Sequence, residues 1–477
     1  MAELPTDLRG LTVGIWGFGL EGISMARTAA AAHAASIVAV DEAGDGTSGV
    51  PDGIVDLEVL NGQEHLGRLR ECDVVFVSPG VPWRHPFFEE LRRSGKKISN
   101  AADWYMARNG SQTIGVTGTK GKSTTASFLG HLLSRLGIRA VVAGNIGTPL
   151  SDLVPGEDVV VVAELSSQQC ALLTTSPAVA VITNLYEDHL DWHGDVGAYH
   201  LAKSNVFRNG AHSLVCTRDV VGVLERLGVT SLPPELRVVD PGDVSWPTVG
   251  DRVAGASEAT GGVTGASEAT GRVTGASEAT GRVMTYQHNV LNGALAVAAA
   301  ELMINREITR AEVAEAVESF GALPHRLQTV RTTGSGARPT RWIDDTLATT
   351  GESVVAALSA MRPEDNVALI VGGMDRHLDY QQVDAYLCSG ARRVELIQAP
   401  SNGVLIGRTY ANEHPTKTHV VASLEDAVHT AAALPDIDVV LLSPGAASYD
   451  LFKNYKAKAA AYCGFIDGLA GPVGTRN

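Results

Sequence analysis

The stretch TIGVTGTKGKSTTASFLGHLL, residues 113–133, decides how the chain is read. A β-prone run enters a turn punctuated by Gly115, Gly118 and Gly121, then Lys122-Ser123-Thr124, then an apolar helical pattern. Strand, glycine turn and helix start make a phosphate cradle, because free backbone N–H groups at a helix N-terminus hold phosphate oxygens. Lys122 can reach β/γ-phosphates, and the Ser123 or Thr124 hydroxyl can face Mg²⁺. The usual spacing puts a glycine five residues before the second one, and here that position is Val116. A glycine-rich turn arising by chance is the plain alternative.

Working outward, the same grammar recurs. LTVGIWGFGLEGISMARTAAAA, from Leu11, reads as strand, turn and Ala-rich helix, and ASIVAVDEA and DVVFVSPGV follow as short apolar strands. Such alternation predicts parallel sheets covered by helices. The polar RNGSQT reads as a linker. The expected fold is α/β with three domains: a Rossmann-like domain over residues 1–109, a P-loop-type ATPase domain with a mainly parallel sheet over 110–322, and a second Rossmann-like domain over 323–477. Within the second, residues 253–283 carry three tandem copies of V(A/T)GASEATG(G/R). One apolar anchor, a valine, in ten residues cannot offset the entropy of ordering the segment, so it reads as a surface insert.

Charge and composition narrow the classes. With 38 Lys and Arg against 53 Asp and Glu, the net charge of −15 argues against a general nucleic-acid binder. The five cysteines (72, 170, 216, 388, 463) share no close spacing, so neither a disulfide framework nor a zinc knuckle is indicated. The N-terminal MAELPTDLRG lacks the pattern of a signal peptide, and no apolar run suggests membrane insertion. A cytoplasmic enzyme is the expectation, and a monomer is compatible with the chain.

Several further motifs carry chemistry. GFGLEG (Gly17, Gly19, Gly22), with Asp41 closing the next strand, matches a dinucleotide fingerprint and alone suggests an NAD-dependent oxidoreductase. Glu164 ends the run VVVVAEL, where an acid suits Mg²⁺ beside a phosphate loop. In NLYEDHLDWH, His189 lies among Asp188, Asp191 and His193, a cluster that a zinc site could also use. Lys203 falls on a helix expected from near Val196, where a lysine is ordinarily solvated. Asn289 and Asn292 open an Ala-rich helix and read as caps or ligands. LPHRLQTV, with His325 and Arg326, opens the third segment, WIDDTLATT follows with Asp344 and Asp345, and VGGMDRHLDY and LLSPGAASYDLFKNY each place a glycine-containing turn at a strand end.

Taken in order, GVTGTKGKSTT, GNIG, AELSS, NLYEDHLDWH, YHLAK, HNVLN, LPHRLQ and SPGAASYDLFKNY resemble the Mur ligases. These are the ATP-dependent peptide ligases of peptidoglycan precursor synthesis. The likeness spans nearly the whole chain outside the repeat, and is nearest to the branch that adds glutamate to UDP-N-acetylmuramoyl-L-alanine. That family's loop reads T-G-T-x-G-K-[ST], which accounts for the glycine spacing. Lys120 stands where Asn is common.

The resemblance implies the rest of the site. The UDP end would bind at Gly17, Gly19, Asp41, Ser78 and Gly80, which displaces the NAD reading, and Asn145 and His189 would also meet that substrate. ATP would bind at Gly118, Thr119, Lys120, Gly121, Lys122, Ser123 and Thr124, with Asn292, Arg326 and Asp345. Ser123, Glu164, His189 and a carbamylated Lys203 would serve Mg²⁺, and Lys122, Lys203 and His189 would be the catalytic set. Thr349, Arg376, Ser448 and Tyr455 would hold the glutamate. D-glutamate ligases carry D-S-K-A-T-N where this chain has Asp345-Thr346-Leu347-Ala348-Thr349-Thr350, and a Lys where it has Arg376. These changes resemble the L-glutamate-adding branch, so L-glutamate is favoured over the D isomer. The competing readings are a folylpolyglutamate- or cyanophycin-type ligase and a non-catalytic UDP-sugar or dinucleotide binder.

Overall fold

In a computed structural model of the chain, residues 7–42, 54, 56–240, 287–321, 325–334, 339–375, 378–448, 451–452 and 454–469 are described. The repeat at 253–283 and Arg376 lie outside them.

Two compact units divide the chain, Met1–Phe320 and Gly321–Asn477. The first unit holds two sheets. One runs β3-β2-β1-β4-β5, from β1 (Thr12–Trp16), β2 (Ser36–Asp41), β3 (Leu57–Asn61), β4 (Val74–Val77) and β5 (Lys97–Ser99). All its pairings are parallel. The buried VVFV of β4 has no polar alternation because helices cover both faces, among them α1 (Leu20–Ala31), α2 (Pro86–Arg93) and α3 (Ala101–Asn109). Strand order reverses beside β1, which opens a crevice at the carboxyl ends of β1 and β4.

The second sheet runs β11-β10-β9-β6-β8-β7, again parallel throughout. Its strands are β6 (Thr113–Thr117), β7 (Ala140–Gly144), β8 (Val160–Glu164), β9 (Val179–Ile182), β10 (Ser213–Cys216) and β11 (Glu235–Val238). Central β6 feeds the glycine turn and α4 (Lys122–Arg135). Then come α5 (Ser167–Ala171), α6 (Leu190–His193), α7 (Val196–Arg208), α8 (Arg218–Arg226), α9 (Gln287–Ile304) and α10 (Arg310–Ser319). A capping box starts α5, where Ser166 and Gln169 satisfy each other's backbone N–H, and Asp195 caps α7.

Polar ties join the two sheets. Gln169 Nε2 donates to Glu21 at 2.5 Å, and Asn100 Nδ2 donates to the Gln169 carbonyl at 2.8 Å. The Ser24 hydroxyl donates to Asp152 at 2.7 Å, and Thr174 donates to Asp103 through both its backbone and its hydroxyl.

The second unit has the order β12-β13-β17-β14-β15-β16, from β12 (Gln328–Thr333), β13 (Thr340–Asp344), β14 (Val367–Val371), β15 (Val394–Gln398), β16 (Thr418–Val420) and β17 (Val439–Leu442). Edge strand β12 alone is antiparallel to its neighbour. Its helices include α11 (Gly351–Ser359), α12 (Gln381–Cys388), α13 (Arg408–Glu413), α14 (Leu424–Ala433) and α15 (Tyr455–Leu469). Among the described residues no helix is long and apolar enough to cross a membrane.

Candidate active site

The glycine turn is shaped by its neighbours. Gly118 and Gly121 have φ of 144° and 86°, which side-chain-bearing residues rarely adopt. A Cβ on Gly118 would run into the Thr183 hydroxyl, and one on Gly121 into the Asn292 side chain. The segment after β9 grips the turn from outside. Asn184 accepts from Lys120 N at 2.9 Å and donates to the Lys120 carbonyl at 2.9 Å, while Thr183 donates to the same carbonyl at 2.6 Å. Thr119 Oγ1 accepts from Tyr186 N at 2.9 Å and from the Tyr199 hydroxyl at 3.2 Å. Thr183, Asn184 and Tyr199 escaped the sequence reading as loop supports, although all three sit in or beside the quoted motifs.

Two lysines meet over this turn. Lys122 Nζ donates to the carbonyls of Gly118 and Thr119, each at 3.0 Å. Lys203 Nζ donates to the Gly118 carbonyl at 2.7 Å. The expectation that a helical lysine is solvated fails here, since Lys203 is 1% exposed. It lies one helical turn beyond Tyr199 on α7, so its ammonium sits 4.8 Å from that ring. Burial first, and the adjacent Lys122 charge second, pull Lys203 down to about 7.

Glu164 ends β8, alongside β6 and β7. It is 1% exposed. Oε1 accepts from Asn145 Nδ2 at 3.0 Å, whereas Oε2 is buried with no hydrogen-bond partner. A buried carboxylate oxygen left bare is costly unless a cation meets it. Ser123 and Thr124 begin α4, with Thr124 buried and Ser123 half-buried. His189 adopts the left-handed conformation (φ 51°) at the start of α6, with a 38% exposed side chain 3.8 Å from Asp188. No trio of His, Cys, Asp and Glu converges among the described residues. Magnesium needs none, because it takes one or two carboxylates and completes its shell with phosphate oxygens and water. The bare oxygen of Glu164 and the hydroxyls opening α4 fit that ion.

At the mouth of the first sheet is a cavity of about 570 Å³. Gly17, Gly19, Asp41, Ser78 and Gly80 all line it, as the motifs imply. The Ser78 hydroxyl donates to the Gly17 carbonyl at 2.6 Å, and Asp41 accepts from Phe18 N at 3.3 Å, so the two turns brace each other.

Within the second unit, Asp345 accepts from the Ser443 hydroxyl at 2.7 Å and from Leu327 N at 3.2 Å. Burial pushes its carboxyl up to about 7. His325 Nδ1 pairs with buried Asp344 at 2.7 Å. His325 and Leu327 hold φ of 64° and 48°, an unusual backbone that brackets Arg326. Arg326 Nε and Ser448 Oγ are buried without hydrogen-bond partners. Tyr455 opens α15, its ring 5.4 Å from that of His325, and Thr349 is half-buried just before α11. Ser443 was missed as a partner of Asp345, because only the pairing of β13 with β17 brings them together. Arg376 falls outside the described residues.

The chain is similar in sequence to known proteins. The Mur ligase middle-domain family matches residues 116–224. A UDP-N-acetylmuramoyl-L-alanine–L-glutamate ligase of Micromonospora sp. is 35% identical, with 98% of both chains covered. The ligase of the same description from Salinispora tropica is also 35% identical, over 98% of this chain and 99% of its own. A UDP-N-acetylmuramoylalanine–D-glutamate ligase of Geobacter metallireducens is 30% identical over 83% of this chain and 84% of its own. Among solved structures, a UDP-N-acetylmuramate-alanine ligase from Thermotoga maritima superposes with a TM-score of 0.55 at 16% identity, covering 96% of this chain and all of that one. That likeness concerns the fold alone. Sequence identity along the full length shows that the chain belongs to the Mur ligase family, among its UDP-N-acetylmuramoyl-L-alanine–glutamate ligases.

Proposed function

We propose that the protein joins glutamate to UDP-N-acetylmuramoyl-L-alanine at the expense of ATP, a step of peptidoglycan precursor synthesis. The observation that carries this is full-length identity to ligases of that description, in a chain whose Lys122, Glu164 and Lys203 gather around one phosphate turn. A carboxylate oxygen of the L-alanyl group attacks the γ-phosphorus, the bond to the β-bridging oxygen breaks, and ADP leaves. The glutamate amine then attacks the acyl carbon, loses a proton, and phosphate departs.

Both stages crowd anionic oxygens, so fixed positive charge must face them. Lys122 exchanges a loop carbonyl for the transferring phosphoryl group. The cavity bounded by Gly17, Asp41, Ser78 and Gly80 takes the UDP end, and Asn292 abuts the ATP turn. Arg326 and Asp345 meet ATP, while Thr349, Arg376, Ser448 and Tyr455 hold glutamate. Glu164, Ser123 and His189 would hold Mg²⁺, which neutralises phosphate charge when bound. A domain division at 1–109, 110–322 and 323–477 belongs to the same reading.

Lys203 would complete the metal set as a carbamate. With its amine drawn down to about 7, much of it is unprotonated near neutral pH. The free amine attacks CO₂, a C–N bond forms and a proton is lost. The cation beside Lys122 thereby becomes an anion that Mg²⁺ favours.

L-glutamate is the favoured isomer. Leu347 and Thr350 stand where D-glutamate ligases carry Lys and Asn, so a cation for the substrate carboxylate is missing there. The 35% identical relatives from Micromonospora sp. and Salinispora tropica are described as L-glutamate ligases. The functional test is ADP release by pure protein. It is expected only when ATP, Mg²⁺, UDP-N-acetylmuramoyl-L-alanine and glutamate are all present, and ADP release indifferent to the UDP substrate would overturn the reading.

A further inference from the structure

The turn that bears His189 is too short to hold itself. Helix α6 has four residues, bounded by His189 (φ 51°) and Gly194 (φ 92°). One helical turn is unstable without tertiary support. That support comes from the wall of the UDP-type cavity. Trp192 Nε1 donates to the Val81 carbonyl at 2.9 Å, and Val81 lines the cavity beside Ser78 and Gly80. The Trp192 ring packs on Trp83 with centroids 5.6 Å apart. Arg84 lies where a Cβ on Gly194 would sit, so the loop after β4 also meets the end of the turn.

The contacts continue inward. Trp192 N and His193 N both donate to the His189 carbonyl, at 3.2 and 3.0 Å, so the residue that bears the indole is tied to the backbone of His189. Buried His193 bonds Ser167 at 2.9 Å and meets Tyr199 edge-on at 5.2 Å. Tyr199 donates to Thr119 in the phosphate turn.

We propose that Trp192 is a positioning residue, which sets His189 through its indole N–H bond to Val81 and so couples occupancy of the UDP cavity to the phosphoryl-transfer site. The inference rests on the ligase reading above. A ligand that orders residues 78–82 fixes the Val81 carbonyl, and with it the turn carrying His189. A two-state contact biased from both ends is the physical requirement for such coupling.

The test is a kinetic cycle of Trp192→Phe, His189→Ala and the double variant, with melting temperatures recorded. Trp192→Phe keeps an aromatic ring and deletes the N–H. It is expected to melt within a few degrees of the parent while kcat falls by about 10-fold, the scale of a modest misplacement. KM for ATP should stay within about 2-fold. The double variant should lose no more than His189→Ala alone, because Trp192 acts through His189. Losses that multiply, or an unchanged Trp192→Phe, would overturn the proposal. Should that variant fail to fold, hydrogen exchange on the parent decides. UDP, with binding verified by calorimetry, should protect the amides of residues 190–194, and unchanged exchange there would overturn it. A parent that ligates while these results fail condemns the coupling alone; a parent that does not ligate condemns the ligase reading.

Discussion

Lys122 and Lys203 both donate to the Gly118 carbonyl, and two adjacent ammonium groups in a buried site are unfavourable unless an anion arrives. Replacing Lys122 by Ala should therefore leave melting within a few degrees, while ligation falls about 10³-fold through loss of phosphoryl stabilisation. Near-normal turnover of the variant would show the lysine to be structural. Lys203→Ala should be almost inactive, and small carboxylic acids in the assay should restore part of the rate by standing in for the carbamate. Full activity in CO₂-depleted buffer would remove Lys203 from the metal set. A third residue gives a stability signature. Burial pushes the Glu21 carboxyl from its ordinary 4.5 up to about 7. The folded state then keeps a proton that the unfolded chain sheds, so this group's contribution is fully present below pH 4.5 and is lost as pH rises to 7. Glu21→Gln abolishes that titration. Its stability relative to the parent should rise between pH 4.5 and 7 by up to about 3 kcal/mol. Urea unfolding at pH 4.5 and 8 measures it, and a pH-independent difference would contradict the assignment.

At the scale of elements, the phosphate turn was the most legible feature, because its grammar is local. A β-prone run, glycines and a hydroxyl-bearing helix start specify β6, the turn and α4 with no distant partner. Helix α7 starts at Val196, where the sequence places it, and Asp195 caps it. Other elements are defined only by packing. Nothing in LDWH announces a helical turn, since α6 depends on Trp192 reaching Val81, over a hundred residues earlier. The burial of Lys203 was invisible for the same reason: helical periodicity says which residues share a face, not what covers it. Its proposed metal role comes from resemblance to a family, and residue type alone points the other way. Antiparallel β12 is likewise an edge feature that alternation does not reveal. The turn itself can be tested. Gly121→Ala forces a left-handed φ on a side-chain-bearing residue, at about 1–2 kcal/mol, and drives a methyl into Asn292. ATP affinity should fall at least about 10-fold, as read by nucleotide titration. Unaltered affinity would mean that the turn yields freely.

Across the whole molecule, three sheets read from three strand-rich segments, and reversal points of strand order coincide with the motif-bearing turns. The decapeptide repeat stands apart by composition. Deleting residues 254–283 should spare melting and activity, because loop-closure cost changes slowly with length. An insoluble or inactive product would show that the repeat packs against something. The central claim concerns what is ligated. Its most direct test supplies the pure enzyme with ATP, Mg²⁺, UDP-N-acetylmuramoyl-L-alanine and either L- or D-glutamate, and follows phosphate release and the mass of the UDP product. One phosphate per added glutamate, with a higher kcat/KM for L-glutamate, is the predicted result. No glutamyl product would contradict the ligase account, and a kcat/KM for D-glutamate equal to or above that for L-glutamate would contradict the isomer assignment.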